Sequence, residues 1–246
     1  MTQKQKPVAL VVGAGDYIGT EISTRFAQEG YAVCMGRRNG ELLEPIAEEI
    51  RNDGGEAYPF TLDARDEDAV IALFKNIEHE IGSLEVVIFN IGANVNFPIR
   101  DTTSRVFRKV WEMACFSGFL CGREAANYMV PRNNGSIFFT GATASLRGGK
   151  GYAAFAAAKF GLRAMAQSLA RELGPQNIHV AHLIIDSGVD TAWVRERMSE
   201  RGEDLSQLPP DQLMNPASVA EAYWNLHQQS RDAWTFETEL RPYGEA

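Results

Sequence analysis

Cysteine is scarce in this chain, with only Cys34, Cys115 and Cys121 among 246 residues. An odd, sparse set without paired spacing excludes a disulfide framework and fits reduced thiols in a cytoplasm. Cys115 and Cys121 stand six residues apart, on different faces of a helix, so packing is their expected use rather than redox pairing. Basic tracts are absent as well. A net charge of −8 argues against nucleic acid and against an anionic membrane surface as partners. No apolar run reaches the length of a membrane span, and the polar start at residues 1–6 lacks the apolar segment of a secretory signal. The histidines His79, His179, His182 and His227 lack ligand spacing, so no metal site is expected.

What is present is an alternation of strand and helix. Apolar runs at 7–12, 31–35, 57–62, 84–90, 135–140, 178–185 and 235–240 read as strands. Between them, helical spacing or stop signals predict helices over 18–29, 41–51, 66–81, 153–173 and 216 to about 229. Thr102, Thr103 or Ser104 is the expected cap of a long helix running to Met129, stopped by Pro131. Buried strands alternating with helices predict an α/β fold. The expected form is a Rossmann-type doubly wound parallel sheet in three α/β/α layers, with residues 1–246 as a single domain. The polar stretch 200–210, with Pro209-Pro210, reads as a mobile loop.

Gly13-Ala14-Gly15-Asp16-Tyr17-Ile18-Gly19 follows the first strand and opens the first helix. Glycines permit the tight turn, and N–H groups at the helix start can face a pyrophosphate. That context favours a nucleotide-binding turn over an ordinary tight connection. Asp16 is expected to cap the helix that follows.

With these residues on the page, the chain resembles a classical-type short-chain dehydrogenase/reductase over nearly its whole length. The resemblance places Gly13, Gly15 and Gly19 in the family's phosphate turn, with Tyr17 in place of its middle glycine, a large side chain near the phosphates that shields the cofactor or hinders it, and Ile18 beside it. It puts Asp63 beside the adenine ring and uses Asn90-Ile91-Gly92 to brace the sheet next to the cofactor. It gives Lys159 to the nicotinamide ribose and Thr191 to the nicotinamide end. About 20 residues past the glycines, an acidic residue would bond the ribose 2′-hydroxyl. Gly36 occupies that position here and Arg37-Arg38 follow. Guanidinium groups suit a 2′-phosphate, so NADP(H) is preferred and NAD(H) stays open.

Further departures from the family concern proton transfer. Its tyrosine, serine and asparagine positions fall on Phe155, Ala142 and Cys115. Phe155 and Ala142 carry no hydrogen-bonding side chain, and Cys115 is a weak donor. Tyr152, seven residues before Lys159, has the spacing of the enoyl reductase branch, where a phenol stabilises an enolate; packing beside the site is its blander use. Thr143, one residue past the missing serine, is the other candidate, with a structural turn role as the alternative. The expected catalytic set is therefore Lys159, Tyr152 and Thr143. Asp186 reads as a turn aspartate or a contact to substrate. Asn94, Asn96, Phe97, Trp193 and Arg195 are candidates to line the pocket.

Two readings follow. One is an NADP(H)-dependent oxidoreductase with a non-standard proton donor, acting on a small-molecule carbonyl or activated C=C substrate. The other is a non-catalytic NADP-binding or scaffold protein that keeps the fold. The resemblance also implies a homodimer or homotetramer, joined through the helices at 104–129 and 153–173.

Overall fold

A computed structural model of the chain describes residues 6–244. The strands are β1 (Val8–Val12), β2 (Ala32–Arg37), β3 (Glu56–Thr61), β4 (Leu84–Phe89), β5 (Gly135–Ala142), β6 (Ile178–Ile185) and β7 (Glu237–Leu240). They form one sheet in the order β3-β2-β1-β4-β5-β6-β7, with every neighbouring pair parallel. The helices are α1 (Ile18–Gln28), α2 (Glu44–Asn52), α3 (Glu67–Asn76), α4 (Ser104–Trp111), α5 (Ser117–Met129), α6 (Ala153–Leu173), α7 (Ala192–Glu200) and α8 (Pro216–His227).

Side chains alternate across a strand, so each central strand feeds two cores. Val8, Leu10 and Val12 of β1 pack with residues of α3, α5 and α6. Ala9 and Val11 pack on the other face with residues of α1, α2 and α8. Burial on both faces is why these strands read as continuous apolar runs rather than alternating ones. Strand order reverses between β1 and β4, and such a switch point opens a crevice at the carboxyl ends of the strands.

All the expected strands form, and the ends of α6 and β6 fall where the sequence puts them. Thr103 is the cap of α4, its hydroxyl accepting the Val106 N–H at 3.2 Å. A π turn at Glu112–Phe116 joins α4 to α5, so the expected long helix is continuous but locally widened and underwound. The segment expected as a helix over 41–51 opens as a 3-10 turn, Gly40–Leu43, before α2. The stretch 200–210 is mostly exposed and holds one short turn, Leu205–Gln207.

Two expectations need correction. Asp16 does not cap α1, which begins without a side-chain cap; its carboxylate accepts from Arg37 Nη1 at 2.8 Å instead. A charge-assisted bond to a guanidinium outcompetes a neutral backbone cap. Asp186 is no turn residue: it follows β6, is 1% exposed and is held by arginines. Among the described residues no helix is long and apolar enough to cross a membrane.

Candidate active site

Two adjoining cavities lie at the carboxyl ends of the strands, of about 470 and about 680 Å³. Gly13, Gly15, Asn90, Ile91 and Gly92 line both, so they form one cleft across the switch point.

The floor of the cleft is the turn after β1. Gly13 has φ +88°, and a Cβ there would stand 2.8 Å from the backbone of Asn90. Only glycine satisfies both demands. The turn hangs on the carbonyl of Gly36, which accepts from Gly13 N at 2.8 Å and Ala14 N at 3.2 Å. Asn90 braces it from the other side, donating through Nδ2 to the Gly13 carbonyl at 3.1 Å. Asn90 Oδ1 accepts from Thr140 at 3.0 Å, and Thr140 shares a 2.6 Å hydrogen bond with buried Tyr223. Ile18 and Gly19 open α1, and N–H groups at a helix start have no intrahelical acceptor. Gly15 and Gly92 face the cleft, and a Cβ at either would meet nothing within 4 Å, so their missing side chains leave open room. This is the arrangement a pyrophosphate needs: free N–H groups, a helix N-terminus and no bulk.

The smaller cavity is basic. Arg37, Arg38 and Arg65 line it against one carboxylate, Asp63. Arg65 was not anticipated from the sequence. It grips Asp63 with Nε at 2.9 Å and Nη2 at 2.5 Å, which holds the Asp63 carboxyl below its usual range. Arg37 is already paired with Asp16.

The larger cavity holds the candidate catalytic residues. Lys159 is 2% exposed. Its ammonium donates to the carbonyls of Thr140 at 2.8 Å and Ile91 at 3.1 Å. Burial draws its pKa down to about 8. The Phe155 ring centre lies 5.9 Å from Lys159 Nζ, and Phe155 lines the cavity where a hydroxyl would be useful. Cys115 is buried, and burial pushes its thiol pKa up, away from thiolate chemistry.

Tyr152 and Thr143 both line this cavity, but their hydroxyls differ. Thr143 donates to Asp186. Tyr152, at the residue before α6, makes no side-chain hydrogen bond among the described residues. Its position is set by Gly151, at φ +84°, whose carbonyl accepts from Phe97 N at 2.9 Å. The Asn96 amide fastens the same loop through the Lys150 carbonyl at 3.1 Å.

Tyr17 reaches across the cleft. Its hydroxyl accepts the Ala192 N–H at 2.9 Å and so ties the glycine turn to the first residue of α7. Thr191 caps that helix, accepting from Val194 N at 3.1 Å, and lines the cavity. Of the five expected lining residues, Asn94 reaches the cavity wall. Asn96, Phe97, Trp193 and Arg195 stand outside it, with Arg195 paired to Asp190. Arg147, not singled out from the sequence, also lines the cavity, half-exposed and paired with buried Asp186.

Residues 7–202 match the family model for short chain dehydrogenase. The chain belongs to this family. As a short-chain dehydrogenase it is 56% identical to a crystal structure of a short-chain dehydrogenase from Rhodopseudomonas palustris, with TM-score 0.83 over 98% of this chain and 100% of that one. It is 26% identical over 216 residues to the 3-oxoacyl-[acyl-carrier-protein] reductase FabG of Thermotoga maritima, covering 87% of each chain. Its fold also matches that of an actinorhodin polyketide ketoreductase crystallised with NADPH, at TM-score 0.86 and 23% identity, over 98% of this chain and 97% of that one.

Proposed function

We propose that this short-chain dehydrogenase is an NADP(H)-dependent oxidoreductase that acts on a small-molecule carbonyl or activated C=C substrate, with Tyr152 serving the substrate oxygen. The observation that carries the proposal is the contrast between two hydroxyls in one cavity. Tyr152 has its hydroxyl available, whereas Thr143 is engaged by Asp186.

The preference for NADP(H) rests on charge. Arg37, Arg38 and Arg65 line the adenosine end of the cleft against two carboxylates, Asp63 and the Asp16 that pairs with Arg37, an excess of one positive charge that suits a 2′-phosphate and leaves little gain for a bare 2′-hydroxyl. The bound nicotinamide supplies or accepts hydride. The chain's own residues do the rest. The ammonium of Lys159, fixed by two carbonyls, presents its remaining N–H to the ribose. Phe155 and Ala142 exclude water around the reacting atoms. Tyr152 donates a hydrogen bond, and then its proton, to the oxygen on which negative charge develops. The buried, unpaired thiols fit work in a reducing compartment.

The test is NADPH oxidation over a panel of carbonyl and enoyl substrates, with Tyr152→Phe beside the wild type. Loss of the proton donor is expected to lower kcat by ~10²–10⁴-fold while NADPH binding stays unchanged. Full activity in the variant removes Tyr152 from the mechanism.

One observation favours a second reading. The ring near Lys159 belongs to Phe155 and the cavity wall carries Ala142, neither able to move a proton, and the Cys115 thiol that interacts with Lys159 is a weak donor. A non-catalytic NADP-binding protein would bind NADPH tightly and oxidise it with no member of the panel.

A further inference from the structure

The cavity that holds Tyr152 is lined by three charged side chains among the described residues: Asp16, Arg147 and Lys159. Two are already engaged. Asp16 is paired with Arg37 at the glycine turn, and Lys159 is buried against two backbone carbonyls. Arg147 is different. Its side chain is 54% exposed, and it lines the cavity together with Thr143, Gly148, Gly149 and Tyr152.

Arg147 is held from behind. Nη1 and Nη2 donate to the two carboxylate oxygens of Asp186 at 3.2 and 3.1 Å. Asp186 is 1% exposed and accepts as well from Arg241 at 3.0 Å and from Thr143. Arg241 is balanced in turn by Glu239. The four charges cancel, but they are layered: of the four, Arg147 alone lines the cavity. A substrate therefore meets a guanidinium whose counter-charge lies behind it.

The geometry of that guanidinium selects a ligand. It has five N–H donors, and Asp186 takes one from each Nη. Three remain, including the side edge made by Nε–H and one Nη–H. That edge matches the two oxygens of a carboxylate. One planar fork with one formal charge, in a cluster whose four described charges already sum to zero, suits a monoanion better than a phosphate dianion.

We propose that Arg147 anchors a carboxylate on the substrate, so that the substrate class is a small oxo or unsaturated carboxylic acid. The proposal rests on the oxidoreductase reading for the word substrate, but the anion site can be tested apart from turnover. Such an anchor would fix the acid's far end by the loop before α6 and present its reducible carbon toward Tyr152. Asp186 and Thr143 act as positioning residues that keep the fork aimed before ligand arrives, which lowers the ordering cost of binding.

The experiment is calorimetric titration of wild type, Arg147→Met and Arg147→Lys, with and without saturating NADP⁺. The probes are matched pairs: benzoate against benzamide, and 2-oxobutyrate against 2-oxobutyramide. Wild type is expected to prefer at least one acid over its amide by about 10- to 100-fold, the worth of a paired charge-assisted contact. Arg147→Met is expected to lose the preference. Arg147→Lys, which keeps the charge and a donor to Asp186, is expected to retain part of it. Equal binding of acid and amide in the wild type, or a preference that survives in Arg147→Met, overturns the proposal. An NADPH titration of the same samples is read separately. If NADPH does not bind, the oxidoreductase reading falls while the cofactor-free titration still decides the anion site.

Discussion

Gly36 and the arginines after it show how the cofactor end of the cleft works at the scale of single residues. Gly36 does two jobs: its carbonyl holds the glycine turn, and its missing side chain leaves the position without the acidic group that would repel a 2′-phosphate. Arg38 is exposed, and Arg65 stands across from it with Asp63 in its grip. If both meet a 2′-phosphate, Arg38→Ala and Arg65→Ala are each expected to weaken NADPH binding by about 10- to 100-fold and to leave NADH nearly unchanged. Parallel fluorescence titrations check this, and equal losses for the two nucleotides would assign the arginines a purely structural role. The glycine turn was legible from its place between a strand and a helix, and Asn90, Lys159 and Thr191 were marked by the resemblance to a known family; all of them line the cleft. Arg65 and Arg147 were not legible: Arg65 pairs locally with Asp63, an exchange that carries no motif, and Arg147 acts through a partner that the fold brings to it. Arg147 meets Asp186 39 residues away across the β5–β6 boundary, and nothing periodic marks that encounter. Asp16 misled for the same reason: its partner Arg37 lies 21 residues on, at the end of the neighbouring strand.

At the scale of elements, burial decides what could be read. β1, β4, β5 and β6 are buried almost throughout, and so is one face of α6; their apolar spacing survives in the sequence. Helix α7 buries no residue, so it carries no apolar stripe and was not anticipated. The π turn between α4 and α5 leaves no compositional mark either. The same rod, with α6, shows an opposite excess. Phe107, Trp111, Phe119 and Phe160 lie on α4, α5 and α6, and each is 41 or 42% exposed. Trp111 stacks on Phe116 and Phe116 on Phe119, at centroid distances of 5.9 and 6.2 Å. Apolar rings gathered on adjoining helices are a surface that a second copy of the chain would bury. Trp111→Glu combined with Phe119→Glu is expected to convert an oligomer to a monomer in sedimentation velocity. A wild type that already sediments as a monomer, or a double variant of unchanged mass, would remove this face from assembly.

At the scale of the whole molecule, the stability of the fold depends on histidines that play no part in the cleft. His182 is buried in β6 beside Gly141, with Nδ1 3.1 Å from Glu237, and Arg163 grips that same carboxylate. His227 ends α8, sharing hydrogen bonds with Tyr31 at 2.6 Å and Ser136 at 3.0 Å, and so ties α8 to β5. Burial depresses both pKa values to about 4, against an unfolded value near 6.5. Between those limits the unfolded chain binds more protons than the folded one. The stability contributed by keeping these rings neutral is therefore complete above pH 6.5 and is lost as pH falls toward 4. By pH 5 each ring is expected to cost about 2 kcal/mol, a large share of the ~5–15 kcal/mol that holds a typical domain. Lys159 has the same sign in a different window. Its folded pKa of about 8 lies below the unfolded value, so its buried charge weakens the cofactor-free protein most below pH 8, and the penalty fades as pH rises toward 10. Urea midpoints of the cofactor-free protein are therefore expected to fall steeply from pH 7 to pH 5 and to rise gently from pH 8 to pH 10. His227→Gln is expected to flatten the acid limb in part, and Lys159→Met the alkaline limb, because each removes the titrating group from its window. A midpoint that stays level from pH 7 to pH 5 would mean that these histidines reach solvent before the chain unfolds, and the account of a fold pinned by neutral buried rings would fail.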